Sequence, residues 1–176
     1  MLFRSEGRGQ VGMGSLIKSS LRMRPDRIIV GEVRDGLAAY YMLQSMNTGH
    51  DGSLTTGHAN SAVDMLSRLE TMVLSEEAIP LEAIRHQIVS AVDVIVHVAR
   101  LRDGSRKVVE ISELDGMHNG AIVLNKLFEF VETDGAEAGR GYDEAGVAGE
   151  FRYTGNRIRN AAKLGLAGLR SAYFQQ

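Results

Sequence analysis

Apolar and polar positions change rhythm several times along the chain, and each change marks an element. Ile28, Ile29 and Val30 form an unbroken β-branched run between the charges of Arg24-Pro25-Asp26-Arg27 and Gly31-Glu32-Val33-Arg34-Asp35. A run without alternation predicts a strand buried on both faces, as in parallel sheets. Pro25 stops the preceding segment, where Ser15 is positioned to cap a helix from Leu16 to about Met23. Asp35-Gly36 opens a helix from about Leu37 to Met46, ended by Asn47-Thr48-Gly49, and a short strand is expected at Ser53–Thr56 between polar loops. After Asn60 or Ser61 as cap, Ala62, Met65, Leu66, Leu69, Met72 and Val73 recur at helical spacing. Pro80 starts a further helix with Leu81, Ile84, Ile88 and Val92 on one stripe.

The period then shortens towards that of strands. Val94–Leu101 and Lys107–Leu114 read as two strands joined at Asp103-Gly104, a strong hairpin signal. A second turn at His118-Asn119-Gly120 leads to Ala121–Leu124, which Leu127–Val131 extends. Residues 133–149 carry five glycines and read as a loop or linker. Phe151–Tyr153 forms a small expected strand and Asn156–Tyr173 a terminal helix, and no internal repeat is present. The alternation of helices and strands predicts an α/β fold with added β-hairpins.

Composition narrows the class. With 176 residues there is material for one well-filled core. Twenty basic against 22 acidic residues give no electrostatic case for a nucleic-acid partner. Without cysteine, disulfides and thiolate metal sites are excluded. No apolar run approaches the roughly 20 residues of a membrane span, and the first residues are charged and glycine-rich, unlike a signal peptide, so a soluble, cytoplasmic protein is expected. Residues 132–150 hold six acids against Arg140, whereas 151–176 hold five bases and no acid. That basic tail suits a solvated helix first, and an acidic partner or anionic lipid second.

The candidate chemistry lies in two segments. Glu32 stands at the end of the β-branched strand, where open α/β sheets bind ligands, and a carboxylate there can orient or deprotonate a water. Arg34, two residues on, shares its face. The segment Thr48–Ser61 brings His50, His58 and several hydroxyls to the next strand, groups suited to a phosphate. Two alternatives stand beside this reading: a metal-dependent hydrolase using Glu32, His50, Asp51 and His58, although the spacing fits no compact site, and a non-catalytic interaction module.

These segments carry a resemblance. Arg24-Pro25-Asp26-Arg27-Ile28-Ile29-Val30-Gly31-Glu32-Val33-Arg34 resembles the Walker B segment of the secretion ATPase superfamily. Met46–Thr56 followed by His58-Ala59-Asn60-Ser61 resembles its histidine box, and Arg68–Met72 and Leu101–Arg106 continue the likeness. The branch most similar is that of the tight-adherence (Flp) pilus assembly ATPases of the CpaF type. The likeness implies a RecA-like P-loop NTPase core over residues 1–131, followed by an acidic linker at 132–150 and a basic helix at 151–176. It implies ATP and Mg²⁺ as cofactors, a hexameric ring at the inner face of the bacterial inner membrane, and a membrane platform protein of the pilus or secretion machinery as partner. Glu32 is then the Walker B glutamate that activates water and His58 the box histidine near the γ-phosphate. Arg34, Thr48 and His50 would help order the nucleotide site, with no protein-bound metal.

The departures are as informative. The family's phosphate loop has the form G-x-x-x-x-G-K-[ST]. The only approach to it, Gly12-Met13-Gly14-Ser15-Leu16-Ile17-Lys18-Ser19, has Ile17 in place of the second glycine and lies eight residues before Arg27. A β-branched residue blocks the backbone that cradles phosphate, and eight residues are too few for a parallel crossover. The chain therefore reads as the C-terminal half of such a domain, without significant ATP hydrolysis alone. Its sheet, lacking the phosphate-loop strand, would leave a side open for self-association. Gly57 stands where a bulkier apolar residue usually precedes the box histidine, so His58 is expected to be held less firmly.

Overall fold

The computed structural model describes residues 11–133, 147–166 and 168. The chain forms two compact units, Met1–Val92 and Asp93–Gln176. The expected acidic linker falls mostly, and the last residues of the expected terminal helix wholly, outside the described residues.

The first unit is built of helices around a two-stranded parallel sheet. Helix α1 spans Met13–Ser20 and continues as a 3₁₀ turn over Leu21–Met23. Its cap is Gly12, without a side-chain hydrogen bond, rather than Ser15, because the helix begins three residues earlier than expected. Strand β1 (Ile29–Val30) pairs in parallel with β2 (Leu54–Thr55), with Ile29 opposite Leu54 and Val30 opposite Thr55. Between them runs α2 (Gly36–Met46), capped by Asp35, whose Oδ1 accepts from the Ala38 N–H at 2.8 Å. Helix α3 (Ala62–Glu76) starts at Ser61, whose hydroxyl accepts from the Asp64 N–H at 3.0 Å. Helix α4 (Leu81–Ala91) follows Pro80.

Helix α2 packs against α1, α3 and α4. Its contact with α3 is close: a Cβ at Gly36 would lie 2.1 Å from the Met72 carbonyl oxygen, so only glycine fits there. Met42, Leu43, Val73, Ile84 and Ile88 are fully buried between these helices. Burial of each such side chain is worth about 1.5–3 kcal/mol. Arg85 clamps α4 to α3 through Glu70, with Nε–Oε1 at 2.8 Å.

The β-branched strand corrects one expectation. Ile28 and Val30 are buried, but Ile29 is 74% exposed and its partner Leu54 is 61% exposed. A pair of strands has two faces, and only the one carrying Ile28 and Val30 is covered. An unbroken apolar run records what a strand can bury, not what lies over it.

The second unit is an antiparallel meander, β3 (Val94–Arg100), β4 (Arg106–His118), β5 (Ala121–Glu132) and β6 (Gly149–Tyr153), paired in chain order. Both turns are where the sequence places them. Gly104 takes φ +81°, and Asn119 and Gly120 take φ +49° and +76°, the left-handed pair that a two-residue hairpin requires. The two segments expected at 121–124 and 127–131 are one strand: Asn125 and Lys126 stay paired with Glu113 and Ser112, and a register shift opposite Ile111/Ser112 takes up Leu127. Glu113, buried, accepts from Asn125 Nδ2 at 2.6 Å and from the Arg159 N–H at 2.7 Å, fixing the approach to α5 (Ala161–Leu166). No helix among the described residues is long and apolar enough to cross a membrane.

Candidate functional site

The parallel pairing sets the site. The Ile28 N–H donates to Ser53 Oγ at 3.0 Å and its carbonyl accepts from the Leu54 N–H at 3.1 Å. Past the strands, the Val33 N–H donates to the Thr56 carbonyl at 3.0 Å, and the Thr56 hydroxyl donates to the Gly31 carbonyl at 2.5 Å. Gly31–Val33 and Thr56 are thus bound side by side beyond the C-terminal ends of both strands. The residues that follow, His58 and Arg34, emerge at the same place.

There the Glu32 carboxylate sits between a guanidinium and an imidazole. The Arg34 guanidinium pairs with Oε2, and His58 Nε2 lies 3.1 Å from Oε1. The Glu32 side chain is 19% exposed, while that of His58 is 81% exposed. The hydrogen bond from Arg34 holds the Glu32 carboxyl below its ordinary range, and the charges of Arg34, His58 and Arg68 act in the same sense, against partial desolvation. The same bond raises Arg34 above its already high value. Glu32 is therefore ionised at neutral pH, hydrogen-bonded in a fixed orientation and reachable by solvent. Such a carboxylate can orient a water and accept its proton, and an exposed imidazole beside it can donate to an anion. An open hollow of about 300 Å³, lined by Met13, Glu32, Arg34 and Asp35, adjoins the carboxylate.

Thr48 and His50 lie elsewhere. The Thr48 hydroxyl turns back on α2, donating to the Gln44 and Ser45 carbonyls at 2.9 and 3.2 Å. His50 Nδ1 lies 3.0 Å from the Ser45 carbonyl oxygen, and the His50 carbonyl accepts from the Ser53 hydroxyl at 2.7 Å. Both residues close the C-terminal end of α2 and the entry to β2, at the opposite end of the strand pair from Glu32 and His58. The structure joins Glu32, Arg34 and His58, and does not bring Thr48 or His50 to them. Among the described residues no group of three His, Asp or Glu comes together in a way that could hold a metal ion, so the arrangement Glu32, His50, Asp51 and His58 does not form one site.

Gly57 explains its own departure. A Cβ there would lie 2.6 Å from Met65 Cε, so the α3 methionine occupies the space that a larger side chain would take. The His58 ring itself is largely exposed and meets Glu32 on one side. The sequence places Met65 only in the apolar stripe of α3 and Thr56 only at a strand end, because neither residue type announces a role beside Glu32 or His58.

The molecule is a mixed α/β protein with a polar site at the ends of a parallel strand pair. It belongs to the type II/IV secretion system protein family, whose model matches residues 2–154. The conjugal transfer protein TrbB of Rhizobium radiobacter is 48% identical over 109 residues, 62% of this chain and 32% of the relative. The type IV secretion system protein VirB11 of Bartonella quintana is 40% identical over 116 residues, 63% of this chain and 32% of the relative. Among solved structures, that of the VirB11 ATPase from the Brucella suis type IV secretion system, in complex with sulphate, is 38% identical with a TM-score of 0.55, over 58% of this chain and 32% of that one. The chain thus spans about a third of the length of the relatives it matches.

Proposed function

We propose that this chain supplies the water-activating half of a type IV secretion or conjugal-transfer ATPase of RecA-like fold. Glu32 accepts the proton of the attacking water, Arg34 fixes the carboxylate's orientation, and His58 donates to the γ-phosphate. The observation that carries this reading is the Glu32 carboxylate held between Arg34 and His58 at the strand ends. ATP with Mg²⁺ is the cofactor that fits, because the exposed imidazole of His58 beside the carboxylate can donate to a phosphate oxygen. When bound, the metal neutralises charge on the transferring phosphoryl group. Thr48 and His50 have a structural role in this reading, closing α2 and shaping the entry to β2.

The 176 residues contain no G-x-x-x-x-G-K-[ST], so the cradle for the phosphates comes from polypeptide other than this stretch. A homo-hexameric ring, a cytoplasmic position at the inner membrane and a membrane platform partner follow from the same family reading. The relatives favour type IV secretion and conjugal transfer, whereas the tight-adherence pilus assignment rests on motif likeness alone. The bare pair Ile29 and Leu54 favours a second role, as a surface that packs against further polypeptide.

The test is an ATP turnover assay on the purified chain. Hydrolysis is expected to stay at the level of a buffer blank. Steady turnover abolished by Glu32→Gln would contradict the need for an external phosphate cradle.

A further inference from the structure

We propose that β6 is a self-association edge, on which a second copy of this chain lays its own β6 antiparallel about a twofold axis at Phe151. The meander ends at β6, and among the described residues no strand lies on its outer side. In an antiparallel ladder, successive residues aim their backbone groups alternately at one neighbour and the other. The Ala148 carbonyl accepts from the Thr133 N–H at 3.1 Å, and the Thr154 N–H donates to the Leu127 carbonyl at 2.9 Å. The even-numbered residues of β6 therefore serve β5. Gly149, Phe151 and Tyr153 turn their N–H and C=O groups to the open edge, and every residue of the strand is exposed.

An open edge accepts any extended chain unless its side chains discriminate. Those of β6 match a second β6. With Phe151 opposite its own counterpart, Gly149 lies opposite Tyr153 and Glu150 opposite Arg152, in both directions. The outward N–H and C=O groups of Gly149, Phe151 and Tyr153 then all pair across the axis. Glu150 and Arg152 fall at the closer, non-hydrogen-bonded positions, where opposite charges attract. Within one strand they already approach each other, with Nε–Oε2 at 3.8 Å, so two copies bring four alternating charges together on one face. On the other face Phe151 and Tyr153 are 41% and 49% exposed, and Phe128 stacks on Phe151 at 5.6 Å between centroids. Each Tyr153 meets Gly149 of the other copy, the one position in β6 without a Cβ. Other registers are penalised. A slip of two residues sets Arg152 against Arg152 in one direction and Glu150 against Glu150 in the other, and a parallel in-register pair does both. The opposite edge, β3, has no such match: it carries no acid and shifts register at His97/Val98.

The test is sedimentation equilibrium on the whole chain between about 10 µM and 1 mM, with amide hydrogen exchange at both ends of that range. A junction of two five-residue strands is smaller than a standard interface, so a dimer with Kd on the order of 100 µM is expected. The amides of Gly149, Phe151 and Tyr153 are expected to exchange quickly in the monomer and to slow as the dimer fills. The Thr154 amide, bonded to β5, is protected throughout and reports in each variant that β6 is in place. Position 150 faces Val131 on β5, so a new charge there leaves the ion pairs of β5 alone. Glu150→Arg is expected to weaken the dimer about tenfold or more, and Glu150→Gln by less. A chain that stays monomeric at the highest concentration would overturn the proposal. So would a dimer whose three edge amides exchange as fast as in the monomer, or one that Glu150→Arg does not weaken.

Discussion

At the scale of single residues, the Glu32 carboxylate is kept ionised to lower pH by its neighbours. The usual value for such a glutamate is 4.5, and Arg34 lowers it. Since the folded value is depressed, whatever stability the pairing gives is present above about 4.5 and is lost as the pH falls through the lower folded value. Arg34→Ala removes the largest cause. Carboxyl-carbon NMR on the variant is expected to show Glu32 titrating at a higher pH than in the wild type, back towards 4.5. A carboxyl that titrates unchanged in the variant would mean that Arg34 does not set the charge state. The spacing in the sequence puts Glu32 and Arg34 on one face of an extended chain, and the structure pairs them although β1 ends at Val30. The sequence did not contain the partition of the histidines. His50 and His58 bracket one short strand, and only the register Ile29–Leu54 decides that His58 alone reaches Glu32.

At the scale of elements, local chemistry was readable and neighbour contacts were not. Asp35, Ser61, Asp103-Gly104 and Asn119-Gly120 act through their own backbone, so caps and turns fell where the residues put them. The bare face of β1 depends on what else covers the sheet, and no property of Ile29 announces it. Two elements give sharp expectations. In the β3–β4 turn, Asp103 accepts from the Ser105 hydroxyl and from the Val147 and Ser105 N–H groups, which lower its pKa from 3.8 to about 2. A depressed acid stabilises the fold above 3.8 and loses that contribution as pH falls through about 2. Hydrogen exchange at the Ser105 and Val147 amides is expected to rise relative to β4 amides across that window, and Asp103→Asn to abolish the pH step. At the α2–α3 contact, Gly36→Ala drives a methyl into the Met72 carbonyl and is expected to destabilise by about 1–3 kcal/mol in urea unfolding. Gly57→Ala meets only the flexible end of Met65 and is expected to be much milder. Equal effects would show that the first helix contact is not tight.

At the scale of the whole chain, two compact units carry different loads. The Met1–Val92 unit holds the whole Glu32–Arg34–His58 cluster, and the Asp93–Gln176 unit is a meander whose buried Glu113 organises its own last segment. The chain matches about a third of the length of the relatives TrbB and VirB11 and contains no G-x-x-x-x-G-K-[ST]. The central claim is that the ends of β1 and β2 at Glu32 and His58 face a nucleotide's terminal phosphate. Amide NMR mapping with Mg²⁺ and a non-hydrolysable ATP analogue tests it most directly. Weak, saturable shifts are expected to cluster at residues 31–34 and 56–58 and to disappear in the double variant Glu32→Gln, His58→Ala. Shifts centred instead on Thr48–Gly52, with residues 31–34 and 56–58 unmoved, would contradict it.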